Sequence, residues 1–427
     1  MSGDGMRDVS RRVFLRAGAA VLAGFGCEPL FLGRAAYALP AGRSLLRAGA
    51  AGRKVLVCLF QRGAVDGLSM VAPHGDPIYY AERARIAIPR ERLVDLDGHF
   101  GLHPRLAALA PFWRDRSLAV VHAVGSPDAT RSHFEAQDFM ETATPGRRTT
   151  PDGWLNRLCQ HDHEHAATPF RAVAFGPQLP KALAGSAPTL AIDDLQAFGL
   201  RAPTAATRDR LTRVFEALYE QSATGLVASS AEEGFHAVEM LRRVNPAQYA
   251  PRHGAEYPRG RLGRALRQVA QLIRADVGLS IACVEAGGWD THIQQGAAEG
   301  QLANRLGELG DALAAFAADL GDGMADVVVL TMSEFGRTVR QNGTQGTDHG
   351  HGTAMLVLGG GVRGGQVAGR WPGLDPAARH DGRDLAITTD FRDLFGEVAQ
   401  RHLGVHDLAP LFPGYASSAT RFPGVLG

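Results

Sequence analysis

Short apolar, β-branched runs recur along the chain, separated by stretches in which apolar residues return every three or four positions. The runs cover residues 54–60, 118–124, 172–175, 279–284, 327–332 and 354–358. Helical spacing is clearest over residues 259–274, 299–320 and 390–402. Strand-like runs with helices between them predict an α/β fold, a mostly parallel central sheet with helices on both faces. Residues 202–257 hold helical pieces and no convincing strand, which predicts a helical insertion or cap. One large domain carrying that insertion is the expected organisation, with two domains as the alternative.

Ligands of open α/β sheets bind beyond the carboxyl ends of the strands, so the residues that follow each run carry the functional information. The first run leads to Arg62, Gly63 and Asp66, the second to Ser126, Asp128, Arg131, Ser132, His133 and Glu135. The run at 279–284 leads to Gly287, Gly288, Trp289, Asp290, Thr291 and His292. That at 327–332 empties into Ser333, Glu334, Phe335, Gly336, Arg337 and Thr338, and the loop Thr347, Asp348, His349, Gly350, His351, Gly352 enters the last. Five loops of one edge therefore carry Asp, Glu, His, Ser or Arg beside glycine.

Carboxylate oxygens with imidazole nitrogens suit a divalent metal, and glycines let backbone come close to whatever is held. Asp66, Asp290, Glu334 and His351 make a four-member candidate set, with His292 and His349 as further ligands. One or two ions of Zn, Mn, Mg or Ca are the implied cofactors. Asp290 has an alternative role as a turn or helix-cap carboxylate. Ser132 is the candidate nucleophile, flanked by Arg131, which is able to pair with an anionic substrate; a hydroxyl in this position also serves as a helix N-cap. The cluster from His161 to His165 reads as a solvated helix end. The glycine-rich stretch 359–365 lacks the Lys-Ser/Thr pair of a phosphate loop and reads as turns.

The N-terminus changes the picture of where this chemistry takes place. Ser10, Arg11, Arg12, Val13, Phe14, Leu15 and Arg16 form a twin-arginine export motif, followed by a weakly apolar stretch and a small-x-small site at Ala36, Tyr37 and Ala38. Cleavage after about Ala38 is expected, giving a periplasmic or secreted protein whose export partner is the twin-arginine translocase. The apolar stretch is too short and too polar for a stable membrane span. Of the 4 cysteines, Cys27 lies in this segment, and Cys58, Cys159 and Cys283 remain, an odd number that is no disulfide framework. Residues 1–38 hold five of the 45 basic and three of the 44 acidic groups, leaving 40 and 41, a net charge of −1. That balance argues against nucleic acid as a partner.

These motifs together resemble the exported bacterial family known as domain of unknown function 1501. The match lies in Phe60 to Leu68, in Arg131-Ser132-His133-Phe134, in Asp152 to Arg157, and in Gly288-Trp289-Asp290-Thr291-His292. Ser333 to Thr338 and Thr347 to Gly352 complete it. That family is similar to the alkaline phosphatase and sulfatase superfamily, an α/β sandwich with metal at the carboxyl edge of its sheet. The resemblance implies Asp66 as the first-strand metal ligand, Ser132 as nucleophile, Asp290 and His292 as a metal pair, Glu334 in the place of an Asp, and His351 as the late His. Superfamily hydrolases space the Asp and His of the third loop more widely and carry a His where Phe335 stands.

The function implied is a metal-dependent hydrolase of a phosphate or sulfate ester, with Ser132 attacking and Arg131 or Arg337 binding the non-bridging oxygens. The alternative is a non-catalytic exported protein that uses the same scaffold to bind an envelope glycan or a partner protein.

Overall fold

The apolar runs become neighbouring strands because each is buried on both sides. The computed structural model describes residues 53–161, 168–196, 237, 240–241 and 246–427. Most of the expected insertion at 202–257, the export segment, and the His cluster beyond His161 lie outside the described residues. In chain order the strands are β1 (Val55–Arg62), β2 (Val71–Ala72), β3 (Val94–Asp95), β4 (Gly101–Leu102), β5 (Leu118–Gly125) and β6 (Ala172–Phe175). Then follow β7 (Leu190–Ile192), β8 (Ile281–Gly287), β9 (Val327–Met332), β10 (Thr353–Gly359), β11 (Val367–Ala368) and β12 (Thr389–Asp390).

The main sheet has the order β11-β5-β10-β9-β1-β8-β6-β7, with β12 also on β5, while β2, β4 and β3 form a small separate sheet. Strand β1 is central and parallel to both β8 and β9. β10 runs antiparallel to both β5 and β9, so the sheet is mostly parallel with one reversed strand. The six expected runs are all present, while the short edge strands β7, β11 and β12 were not legible as runs.

Successive side chains of a strand point to opposite faces, and two cores result. Val55, Val57 and Leu59 of β1 face α3 (Arg261–Arg274) and α4 (Gln301–Leu320), through residues such as Leu266, Val269, Leu306 and Phe316. Leu56, Cys58 and Phe60 face the other way, onto α1 (His133–Thr142), α2 (Trp154–His161) and α5 (Phe391–Glu397). Trp154 stacks on Phe395 there at 4.6 Å. Helices thus cover both faces. The helix expected at 390–402 is capped by the Asp390 carboxylate and passes into a π-helical turn, Val398–His402. Among the described residues no helix is long and apolar enough to cross a membrane.

Three buried histidines tie this framework to pH. His103, His122 and His402 place Nε2 2.9, 3.0 and 2.9 Å from the carbonyls of Ala297, Val71 and Val55. A carbonyl only accepts, so each ring donates and stays neutral, and burial pushes each down to about 4 from an ordinary 6.5. Between these values the unfolded chain binds protons that the folded chain does not. The stability present above pH 6.5 is therefore expected to fall as pH drops toward about 4, with His402→Gln flattening the slope. Urea unfolding midpoints taken at steps across that window test this.

Candidate metal centre

Strand direction decides what meets at the carboxyl edge. Strands β1, β5, β8 and β9 end there, and the reversal of β10 puts its first residue, Thr353, opposite Val124 near the end of β5. The loop carrying Asp348, His349 and His351 is delivered to the same edge as the strand ends for this reason. It then packs directly onto the loop after β9: Gly336 N–H donates to the His351 carbonyl and Gly350 N–H to the Gly336 carbonyl, each at 2.8 Å. A Cβ at Gly336 would lie 1.9 Å from the Gly352 oxygen, and one at Gly350 2.4 Å from the Arg337 carbonyl carbon, so only glycine permits this contact.

Three imidazoles and one carboxylate converge at this edge. His349 Nε2 lies 3.0 Å from His133 Nε2 and 2.9 Å from His292 Nε2. Asp290 Oδ1 lies 3.0 Å from His292 Nε2 and 3.3 Å from His349 Nε2, and Asp290 Oδ2 is 3.5 Å from His133 Nε2. One ligand atom each from His133, Asp290 and His349 falls within 4.8 Å of the others; His292 stands outside that group, its Nε2 2.9 Å from that of His349.

The opposite nitrogens all point outward to acceptors. His133 Nδ1 lies 2.8 Å from Glu334 Oε1, His292 Nδ1 3.0 Å from Asp348 Oδ1, and His349 Nδ1 2.9 Å from the Arg131 carbonyl. The carbonyl can only accept, so His349 donates from Nδ1 and its neutral form keeps a bare lone pair on Nε2. Both carboxylates are held below their ordinary range. Burial opposes charge on Glu334, and bonds from His133, Gln137 and the Gly63 N–H overcome it; burial likewise opposes charge on Asp348, and Asn342 and His292 overcome it. As acceptors they take Nδ1–H from His133 and His292, whose neutral forms then carry a bare Nε2 as well.

Bare nitrogens about 3 Å apart repel unless a cation sits between them. Metal–nitrogen bonds of about 2.0–2.1 Å in a tetrahedron place neighbouring donors about 3.3 Å apart, close to the separations here. The donor set fits a divalent ion. The bond from Glu334 raises the His133 pKa, so a proton is the competitor for this position, while burial lowers His349. Arg337, fully buried, donates from Nη1 to Asp290 Oδ1 at 2.6 Å and from Nη2 to the Thr347 carbonyl; burial opposes charge on Asp290, and Arg337 holds its pKa down.

The other sequence-predicted residues fall into distinct places. Glu334 accepts three bonds on Oε1 and orients His133 from outside the cluster. Asp66 is not brought to the cluster: Arg83 Nη1 and Nη2 reach Oδ2 and Oδ1 at 2.6 and 3.0 Å, and Ser69 and Gln295 bond Oδ2 at 2.7 Å. Oδ2 thus accepts three bonds and Oδ1 one, within a fully buried ion pair. His351 also lies apart, stacked on His380 at 4.0 Å. Arg131 is tied to Asp384 and Asp381 at 2.7 and 3.2 Å, its carbonyl serving His349. Ser132 occupies the N-cap of α1 and makes no side-chain cap bond.

His133 is the member that reasoning from sequence left as a flank of Ser132. It sits in the same kind of strand-end loop as the other histidines, and that is the signal that could have found it.

The fold is a mixed α/β sheet with a His–Asp group at its carboxyl edge. The chain belongs to the family described as "Protein of unknown function (DUF1501)", which matches residues 53–410. No curated protein matches it in sequence. Among solved structures it is similar to the C-terminal periplasmic domain of EcEptC from Escherichia coli in complex with Zn, at 10% identity over 73% of this chain and 74% of that one, with a TM-score of 0.36. A second is the phosphonate monoester hydrolase of Agrobacterium radiobacter, at 11% identity over 86% and 78%, with a TM-score of 0.27. Likeness at this level bears on neither reaction nor residue roles.

Because Asp66 and Arg83 are both fully buried, removing one partner strands a charge. Arg83→Met is expected to lower the unfolding free energy by about 3–5 kcal/mol. Combining it with Asp66→Asn is expected to recover part of that loss, measured by urea titration of the four proteins in a double-mutant cycle.

Proposed function

We propose that the protein is an exported metal-dependent hydrolase of a phosphate or sulfate ester, built around one divalent ion. The observation that carries this reading is the convergence of three imidazole Nε2 atoms on the Asp290 carboxylate, with every Nδ1 committed outward. Nitrogen-rich ligation suits zinc, whereas Mg and Ca favour oxygen sets. One ion rather than two is the reading, because Asp66 is paired with Arg83 away from the cluster and Glu334 accepts from Gly63, Gln137 and His133. A bound ion supplies charge neutralisation for the anionic ester.

This chain's own residues carry the remaining roles. His133 and His349 would hold the ion through Nε2 together with Asp290, with His292 Nε2 beside them, while Glu334, Asp348 and the Arg131 carbonyl fix the three rings' orientation. Arg337 keeps Asp290 ionised and in place. The ligand side chains are partly exposed, from 23% at His133 to 43% at Asp290, which leaves an open face for substrate. Ser132 precedes His133 at the start of α1 with its hydroxyl free of capping, and is the nucleophile of this reading. Export through the twin-arginine translocase, with cleavage near Ala38, belongs to the same proposal and rests on the motif around Arg11 and Arg12.

A second reading has its own support. Both arginines expected to take the non-bridging oxygens are committed to carboxylates, Arg131 to Asp384 and Arg337 to Asp290. That arrangement fits a non-catalytic protein that uses the metal centre to bind an envelope glycan or a partner protein.

Metal analysis of the purified mature protein is expected to find close to one zinc per chain. Asp348→Asn and Glu334→Gln are each expected to weaken zinc binding about 10- to 100-fold, read by competition with a chelating dye. Turnover of an aryl phosphate or aryl sulfate, lowered at least about a hundredfold in Ser132→Ala with zinc retained, supports the hydrolase. Stoichiometric zinc without turnover supports the binding protein, and absence of stoichiometric metal overturns both.

A further inference from the structure

Among the described residues two large hydrophobic side chains are exposed: Phe134, at 89%, and Ile293, at 62%. Each directly follows a histidine of the metal centre, His133 and His292. The rings of those histidines both contact His349 through Nε2, so the two loops are held together at one edge. Neither side chain is explained by packing. Helix α1 turns Ala136, Phe139 and Met140 toward the core, and Phe134 lies two residues before Ala136, on a different side of the helix. Ile293 is carried on a loop whose backbone is tied down instead, its carbonyl accepting from Gln301 Nε2 at 3.1 Å.

We infer that Phe134 and Ile293 are specificity-determining residues, forming an apolar rim that binds the hydrocarbon part of the substrate's alcohol group while the anionic ester meets the metal centre. This rests on the ester reading above. The position argues for substrate as the occupant, since both side chains adjoin the ligands of the centre and none is placed elsewhere on the described surface. An aromatic ring alone would also serve as a platform for a sugar face. Ile293 has no ring to stack, and a pair made of one aromatic and one aliphatic side chain matches an aryl or alkyl group instead. Phe335 is buried against the rings of His133 and His349, at 4.9 and 5.2 Å.

The test compares binding of phenylphosphonate and methylphosphonate to the zinc-loaded mature protein by titration calorimetry. Covering part of Phe134 and Ile293 is expected to favour phenylphosphonate about tenfold. Phe134→Ala and Ile293→Ser are each expected to lower that ratio, and together to bring it close to one with zinc content unchanged. Both side chains are exposed, so circular dichroism is expected to report an intact fold. A preference that survives in the double variant overturns the inference, as does equal binding of the two phosphonates by the native protein, which leaves the ester reading standing. Failure of a stoichiometrically zinc-loaded protein to bind either phosphonate overturns the ester reading and this inference with it. If the double variant instead loses cosedimentation with phosphatidylglycerol vesicles while the phosphonate ratio holds, the rim belongs to a membrane surface and the inference fails.

Discussion

A neutral imidazole has one proton to donate, and the nitrogen that gives it away decides what the other can do. In this protein three rings bond outward through Nδ1, to Glu334, Asp348 and the Arg131 carbonyl, while His133 and His292 each turn Nε2 toward that of His349. Everything else at the carboxyl edge follows from keeping that arrangement in place. Glu334 must remain ionised inside the protein, which the Gly63 N–H, Gln137 and His133 bonds accomplish against burial. Asp290 must face the same point, and the buried Arg337 holds it there.

The supporting layer is itself a connected polar network. Gln295 bonds Asp66 through its amide nitrogen and accepts from Thr291 and Thr347 through its oxygen, and Thr347 in turn accepts from Arg337. Asp66 and Arg83 are therefore continuous with the centre without belonging to it. Buried polar groups in such a network are satisfied by one another, and a satisfied network is rigid. The rigidity sits beside His133, Asp290 and His349, beneath side chains that stay partly exposed.

Much of this was legible along the chain, because burial on both faces leaves continuous apolar runs and the residues after each run mark the edge. The loops holding Asp290, His292, Glu334 and His349 were all singled out on that ground. Two candidates, Asp66 and His351, stand apart from the cluster. Asp66 has the right residue type and position, but Arg83, seventeen residues later and unremarkable in sequence, takes both of its oxygens. His351 stands two residues from His349, yet the backbone pairing with Gly336 sends it to a stack on His380. His133 was passed over beside the more conspicuous Ser132, although its Nε2 lies within 3.0 Å of His349.

The amino-acid sequence by itself determined the class of fold, the edge at which the histidine and carboxylate loops gather and the kinds of residue they carry, since periodicity and strand-end composition are local properties. Which of those residues face each other was decided only by the tertiary structure. The direction of β10 is the clearest case: a parallel strand would have carried the histidine loop to the far edge, and its apolar run reads the same in either direction. Hydrogen-bond partners brought in by the fold then separated the candidates, Arg83, Ser69 and Gln295 on Asp66 and Gly63, Gln137 and His133 on Glu334, because a lone pair that accepts a bond is not offered to a metal.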